Sequence, residues 1–482
     1  MGRPDRKGGL QDLLFSKEER LTTIVMEKTI AAISTGLTPS GIMIIRMSGT
    51  EAVPIADRVF RGKRKLSKVK SHTIHHGFIF NGDGDLDEVL VSVMRAPHTY
   101  TGEDTVEINC HGGLLVTKKV LELLLSNGAA AAEPGEFTKR AFLNGRMDLS
   151  RAEAVIDVIE AQNDFAVKAS VSQLKGAVSE KIRQLRERLL HEIAFIEAAL
   201  DDPEHYELDG AYEKALAENV CQVREEVRKL LKTADYGSVL KEGIRTVIAG
   251  RPNAGKSSLL NMLSGFEKAI VTDIAGTTRD VLEVPVQLKD VSLILMDTAG
   301  LRDTEDMVEK IGVGRAKEAL SQADLVLYLI DAAEGENEED RRTLMQLRKE
   351  QKKVLVLYNK TDLVENADSP RKSTESTEEV IEISAKTGYG METLSERICA
   401  LFYQGEIRSN EEIVITSARH KALLSEAEKA LTLVLEGLSM QVSEDLLNID
   451  LTDAYAALGK IVGEAVGEDV IDHIFEKFCM GK

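Results

Sequence analysis

In the stretch "GRPNAGKSSLLN", glycine, lysine and serine stand at the spacing that cradles a chain of phosphates. Gly250, four further residues, then Gly255, Lys256 and Ser257 make the P-loop pattern, between the strand-like "TVIAG" and the helix-like "SSLLNML". Glycines let backbone amides close around phosphate oxygens, and the helix start adds the positive end of its dipole. Lys256 is positioned to reach the β and γ phosphates and Ser257 to bind Mg²⁺, with Asn253, Ala254 and Ser258 completing the loop.

Further motifs follow in the order a GTPase requires. "TDIAGTT" supplies Thr272, Asp273, Ile274, Ala275, Gly276, Thr277 and Thr278, the last a second Mg²⁺ hydroxyl in a mobile loop. "DTAG" ends a strand with Asp297, Thr298, Ala299 and Gly300, for the metal's water shell and the γ-phosphate. "NKTD" supplies Asn359, Lys360 and Asp362, whose carboxylate can accept from guanine's N1–H and amino group. Adenine would leave that acceptor unmatched, a discrimination of roughly 10⁴-fold. Ser384, Ala385 and Lys386 complete the base pocket. Five motifs in series specify GTP binding and hydrolysis. Leu301 stands where many GTPases carry the glutamine that orients water. Glu309 is the candidate for that task, against the alternative of a solvated acid at a helix start. Asn253 is a candidate to hold a monovalent cation.

The elements around these motifs indicate a multidomain α+β chain. Residues 26–145 alternate strand-like runs ("GIMIIRMSG", "DEVLVSVMRAP", "DTVEINCHGG") with the helical "LLVTKKVLELLLSNG". Residues 146–240 read as long helices, the last running to about residue 233. Residues 241–405 are strand–loop–helix units of an α/β P-loop domain, and residues 406–482 return to helix. That order implies an α/β domain inserted into one all-α domain. Residues 1–25 read as a poorly ordered extension.

Bulk composition narrows the class. A formal net charge of −19 argues against coating nucleic acid, while leaving room for a local basic groove or a basic partner. No apolar run reaches membrane-spanning length. Four scattered cysteines favour a reducing compartment over a disulfide frame or a zinc site.

"GRPNAGKSSLLN", "TDIAGTTRDV", "DTAGLR", "NKTDL", "PGEFTKRAFLNGRMDLSRAEAV" and the terminal "FCMGK" together resemble the MnmE (TrmE) family, GTPases that modify the tRNA wobble uridine. The resemblance spans residues 28–482 and implies a cytoplasmic homodimer whose N-terminal domain binds folate and dimerises. It implies K⁺ at Asn253, Thr272, Ile274 and Thr277, water orientation by Glu309, and folate contacts from Arg46, Glu107, Arg146 and Lys482. Carboxylates suit a pterin's amidine-like edge, and arginines suit a glutamate tail. It further implies a one-carbon unit from 5,10-methylene-tetrahydrofolate, and an FAD-carrying MnmG-type partner with which the chain modifies tRNA as a heterotetramer. Departures are the loop "ISTGLTPSG", where the family has a Pro- and Gly-rich loop, and Arg146, where some relatives have lysine. A GTPase that only switches partners, in regulation or ribosome assembly, is the alternative.

Cys479 poses its own problem. Gly481 and the terminal Lys482 fit a prenylation signal poorly, and no second ligand stands at metal spacing. Val470, Ile471, Ile474, Phe475 and Phe478 make an apolar stripe on a final helix, with Gly481 as its natural C-cap, so packing is one reading of the cysteine. The family resemblance instead makes Cys479 a residue of the modification chemistry, on a tail docked inside the helical bundle.

Overall fold

The computed structural model describes residues 28–161, 163–202, 210–265, 284–289, 291–296, 320–364, 380–403, 413–478 and 481. The chain divides into two compact units, one of residues up to Ile156 together with those from Val462 onward, the other Asp157–Ile461.

The first unit is built on β1 (Ile30–Ile33), β2 (Ile42–Ser48), α1 (Ala52–Val59), β3 (Phe60–Gly62), β4 (Thr73–Phe80), β5 (Asp85–Met94), β6 (Thr105–His111), α2 (Leu114–Ser126), β7 (Ala130–Ala131) and α3 (Glu136–Leu143). Its seven strands lie in the order β3-β4-β5-β6-β2-β1-β7, antiparallel except for β1 with β7. The two-residue period of a strand decides which side chains are buried. Met43, Ile45 and Met47 of β2, Val89, Val91 and Val93 of β5, and Val106, Ile108 and Cys110 of β6 are all buried. Most of them join α1 and α2 in one core. The alternate residues therefore face away from it, and the β2–β6 register sets Arg46 directly opposite Glu107.

In the second unit the chain runs from α4 (Leu149–Glu160), which crosses the boundary, through α5 (Asp164–Leu174), α6 (Ala177–Asp201) and α7 (Gly210–Glu242). The helix expected to stop near residue 233 continues to Glu242, so it delivers the chain directly to the next strand. The long helical pattern after Asp148 is also broken, near Asn163, whose side chain caps α5, and at Lys175–Gly176.

A six-stranded sheet follows, from β8 (Ile244–Gly250), α8 (Lys256–Gly265), β9 (Val284–Leu288), β10 (Val291–Leu295), β11 (Leu325–Asp331), α9 (Glu338–Lys349), β12 (Lys353–Asn359), β13 (Ile381–Glu382) and α10 (Met391–Tyr403). Its order is β13-β12-β11-β8-β10-β9, parallel except for the edge strand β9. Every residue of β11 is buried, as a central parallel strand requires. Its odd positions pack with α8 and α10, its even positions with α9, so helices cover both faces.

The chain then returns to helix in α11 (Ala418–Ser439) and α12 (Glu444–Val462). Arg228 of α7 pairs with Glu428 of α11 at 2.8 Å, and the Arg186 guanidinium of α6 lies 4.1 Å over the Tyr455 ring of α12. The α/β domain is thus inserted between halves of one helical layer.

The last helix, α13 (Glu468–Phe475), belongs to the first unit. Ile471, Phe475 and Phe478 pack on Leu149, Ala152 and Val155 near the start of α4, and Lys139 of α3 pairs with Asp472. The apolar stripe is therefore spent on α3 and α4 beside the first sheet, rather than within the α6–α7–α11–α12 layer. The helix ends at Phe475 with Glu476 as its C-cap, so Gly481 is not its C-cap.

Phe137 is wholly buried in a small cluster with Ile30, Ala32 and Ala132. Phe137→Ala is expected to destabilise the first unit by about 3–5 kcal/mol, read as a lower urea midpoint at an unchanged slope.

Candidate functional site

β8 delivers Gly250 to the end of the α/β sheet, the chain turns through Arg251–Gly255, and α8 begins at Lys256. Gly255 has φ +98°, and a Cβ there would stand 2.1 Å from the Asn359 amide nitrogen. That amide explains the close approach. Asn359 is 1% exposed and donates from Nδ2 to the Ala254 carbonyl at 2.9 Å, while its Oδ1 accepts from the Ala385 amide at 2.9 Å. One buried side chain thus joins the P-loop to the loop at Ala385.

The other described residues of the site are fixed as closely. Lys256 donates from Nζ to the carbonyls of Gly250 at 2.7 Å and Arg251 at 2.8 Å, and burial lowers its pKa. Asp362 accepts from the Ser384 hydroxyl at 2.7 Å, which orients its carboxylate. Lys360 takes a left-handed backbone (φ 67°) and its ammonium lies 2.8 Å from Asp331. Burial alone would raise the Asp331 pKa; the Lys360 and Ala333 hydrogen bonds overturn that and hold it low. Behind the loop, Arg251 contacts the fully buried Asp340 at 3.1 Å, and Tyr328 donates to the other Asp340 oxygen at 3.0 Å. Ser257 and Ser258 open α8, and Asn253 turns the loop with φ 63°. Lys386 follows Ala385 as an exposed residue. Thr272–Thr278, Asp297–Gly300, Leu301 and Glu309 lie outside the described residues.

A second cluster forms in the first unit. Arg46 Nε and Nη2 each lie 2.8 Å from Glu107 Oε1, leaving Oε2 outside the pair. The Arg46 guanidinium sits 5.6 Å from the ring centroids of both Tyr100 and Phe137. Tyr100 also lines a cleft of about 460 Å³ with His72, Met94, His98 and Arg146. The Gly481 carbonyl accepts from the Ser34 hydroxyl at 3.0 Å and from Arg46 Nη1 at 3.5 Å. The tail backbone is therefore brought to the Arg46–Glu107 pair, with Arg146 in the adjoining cleft. Cys479 and Lys482 lie outside the described residues.

Comparison with known proteins settles the family. The model described as "GTP-binding protein TrmE N-terminus" matches residues 29–146, and "MnmE helical domain" matches residues 149–479. "tRNA modification GTPase MnmE" of Lachnoclostridium phytofermentans is 49% identical over 457 residues, covering 94% of this chain and 99% of the relative. The chain belongs to the MnmE family. The Bacillus subtilis member is 45% identical over 459 residues, covering 94% of this chain and all (100%) of its own length. A crystal structure of Aquifex aeolicus Era bound to GDP and aluminium fluoride is 31% identical, covering 39% of this chain and 66% of its own at a TM-score of 0.26.

For this MnmE-family chain, sequence reasoning missed the groups that brace the motif residues. Tyr328, Asp340 and Arg251 form a long-range network, and the only local signal was the "NEED" capping pattern at the start of α9. Ser34 and Tyr100 carried no signal, since their partners lie on distant segments.

Asp362→Asn is expected to cost roughly 10⁴-fold in GTP affinity and to favour xanthosine triphosphate, whose 2-carbonyl accepts from the new amide; equilibrium binding of both nucleotides measures this. Burial, with Asp87 adding to it, pushes the Cys110 thiol up to about 12. At pH 8 its thiolate is scarce, so peptide-resolved alkylation of Cys110 in the folded protein is expected to run roughly 10³-fold slower than for free cysteine.

Proposed function

We propose that this chain is a tRNA modification GTPase. It hydrolyses GTP and, with an FAD-carrying MnmG-type partner, installs a carboxymethylaminomethyl or aminomethyl group at the 5-position of the wobble uridine. The carbon comes from 5,10-methylene-tetrahydrofolate. The observation that carries the reading is that one MnmE-family chain holds both a guanine-type base loop, clamped to its P-loop by Asn359, and the Arg46–Glu107 pair beneath the tail carbonyl.

In the α/β domain Lys256 meets the β and γ phosphates and Asp362 takes the guanine edge. Ser257 and Thr278 hold Mg²⁺, which when bound neutralises charge building on the phosphates. Leu301 has no polar side-chain atom to orient water, and the family resemblance gives that task to Glu309. Asn253, Thr272, Ile274 and Thr277 hold K⁺ as two such domains meet in a homodimer. In the first unit the unshared Glu107 oxygen suits a pterin's amidine-like edge, and Arg146 and Lys482 suit carboxylates. Cys479 takes part in the modification chemistry. The net charge of −19 supports a division of labour in which the partner supplies most of the basic surface for tRNA, in the cytoplasm. Among the described residues, no helix is long and apolar enough to cross a membrane.

Nucleoside analysis of tRNA from a strain lacking this gene is expected to show wobble uridines without the side chain; unchanged nucleosides would favour a switch that only exchanges partners. GTP turnover is expected to be at least about tenfold faster in K⁺ than in Na⁺, in line with the loss of a transition-state charge stabiliser. Cys479→Ser is expected to keep GTP turnover and lose modification, and full modification by that variant would return the cysteine to packing.

A further inference from the structure

The α/β domain is joined to the helical layer by two chain crossings, one outgoing between α7 and β8, the other returning ahead of α11. Both are tied to the same carboxylate. Asp157 on α4 is 3% exposed. Its Oδ1 lies 2.5 Å from the ammonium of Lys241, in the last turn of α7 before β8. Its Oδ2 accepts at 3.4 Å from the hydroxyl of Thr416, two residues before α11.

Neighbouring contacts tighten the same place. The Ile415 amide donates to the buried Thr233 hydroxyl of α7 at 3.2 Å. Gly237 of α7 has no room for a Cβ, because the Ile415 carbonyl would lie 2.1 Å from it. Asn163, six residues beyond Asp157, donates from Nδ2 to Ser292 of β10 at 3.0 Å. The outgoing helix, the returning segment and an inner strand of the sheet are thus held by residues of one short stretch, 157–163.

A carboxylate this buried is tolerated because Lys241 compensates its charge and Thr416 fills its second oxygen. The arrangement makes the two crossings one joint: the outgoing one cannot shift without straining the Asp157–Lys241 pair, nor the returning one without giving up the Thr416 contact to the same carboxylate. We infer that Asp157 is the positioning residue of this joint, through which the nucleotide state of the α/β domain is passed to the helical layer. Its consequence for modification rests on the function proposed above; its mechanical part does not. Asp157 is held by Lys241 and Thr416, outside the P-loop and the Asn359–Ala385 loops, so the joint is expected to govern coupling rather than hydrolysis.

The test uses the full chain. Asp157→Asn keeps the shape and an acceptor for Thr416 while removing the charge; Thr416→Val leaves the ion pair and frees the returning segment. Spin labels at Met345→Cys on α9 and Leu433→Cys on α11, both exposed positions, report the distance across the joint. Cys221, Cys399 and Cys479 are replaced by serine for this measurement, and labelled chain is diluted with unlabelled chain. In the otherwise unchanged protein the distribution is expected to shift between GDP and GDP with aluminium fluoride. In Asp157→Asn it is expected to broaden and lose that shift, while GTP turnover stays within about threefold. Wobble modification in cells carrying Asp157→Asn with the native cysteines is expected to fall about tenfold, within the usual range of inter-site coupling. Thr416→Val is expected to act in the same direction and to decide the matter should Asp157→Asn melt. A distribution that never moves with nucleotide, or variants that keep both the shift and full modification, would overturn the joint. Absent modification with the unaltered protein would instead overturn the proposed function, while the distance measurement still judges the joint.

Discussion

A primary amide with almost no contact with water has to find its partners inside the protein, and Asn359 finds them on two loops. One hydrogen bond goes to the carbonyl of Ala254, 105 residues back, and one comes from the amide of Ala385, 26 residues ahead. Losing either would strand a buried polar atom, a cost of about 1–3 kcal/mol, so neither loop can drift without the other. Gly255 has to be glycine because that amide occupies the place of its side chain. The P-loop and the Ala385 loop are therefore referenced to one another within the protein itself, the preorganisation that the proposed nucleotide site would need. The Arg251–Asp340–Tyr328 network does the same for the back of the phosphate loop.

Much of this was legible in the sequence because phosphate and guanine chemistry constrain spacing. Gly250, Gly255, Lys256 and Ser257 must follow a strand and open a helix, and Asp362 must stand three residues beyond Asn359; both patterns are local. The alternation of the β2, β5 and β6 segments was equally readable, since the period of a strand needs only a few residues. What could not be read was whatever depends on register or on distant segments. Arg46 and Glu107 are 61 residues apart, and only the β2–β6 pairing makes them neighbours. The tail illustrates the same limit. Its apolar stripe was visible, but an amphipathic pattern states that a face must be buried and not which surface will bury it.

Charge is handled differently at the two clusters. Arg46 and Glu107 are half-buried, with side chains 17% and 23% exposed, and their pairing leaves Glu107 Oε2 uncommitted. With side chains this sheltered, parting the pair would cost more than parting a surface ion pair, so any other partner of Glu107 would have to replace what Arg46 supplies. Asp340, by contrast, is wholly enclosed, and removing one member of that network would leave an uncompensated charge.

The segment Val462–Lys482 belongs to the same compact unit as the residues up to Ile156. On a ribosome the two parts are separated by the whole of the second unit. The contacts of Phe475 and Phe478 with α4, and the hold of Ser34 on the Gly481 carbonyl, therefore wait until the second unit has been synthesised. Domains fold as units while chains grow at about 5–20 residues per second, so the α/β domain completes its own sheet while the first unit is still missing its last helix. A chain cut after α12 would keep the P-loop strand, turn and helix, and would lose both the packing of Phe475 and Phe478 and the Gly481 carbonyl held by Ser34 and Arg46.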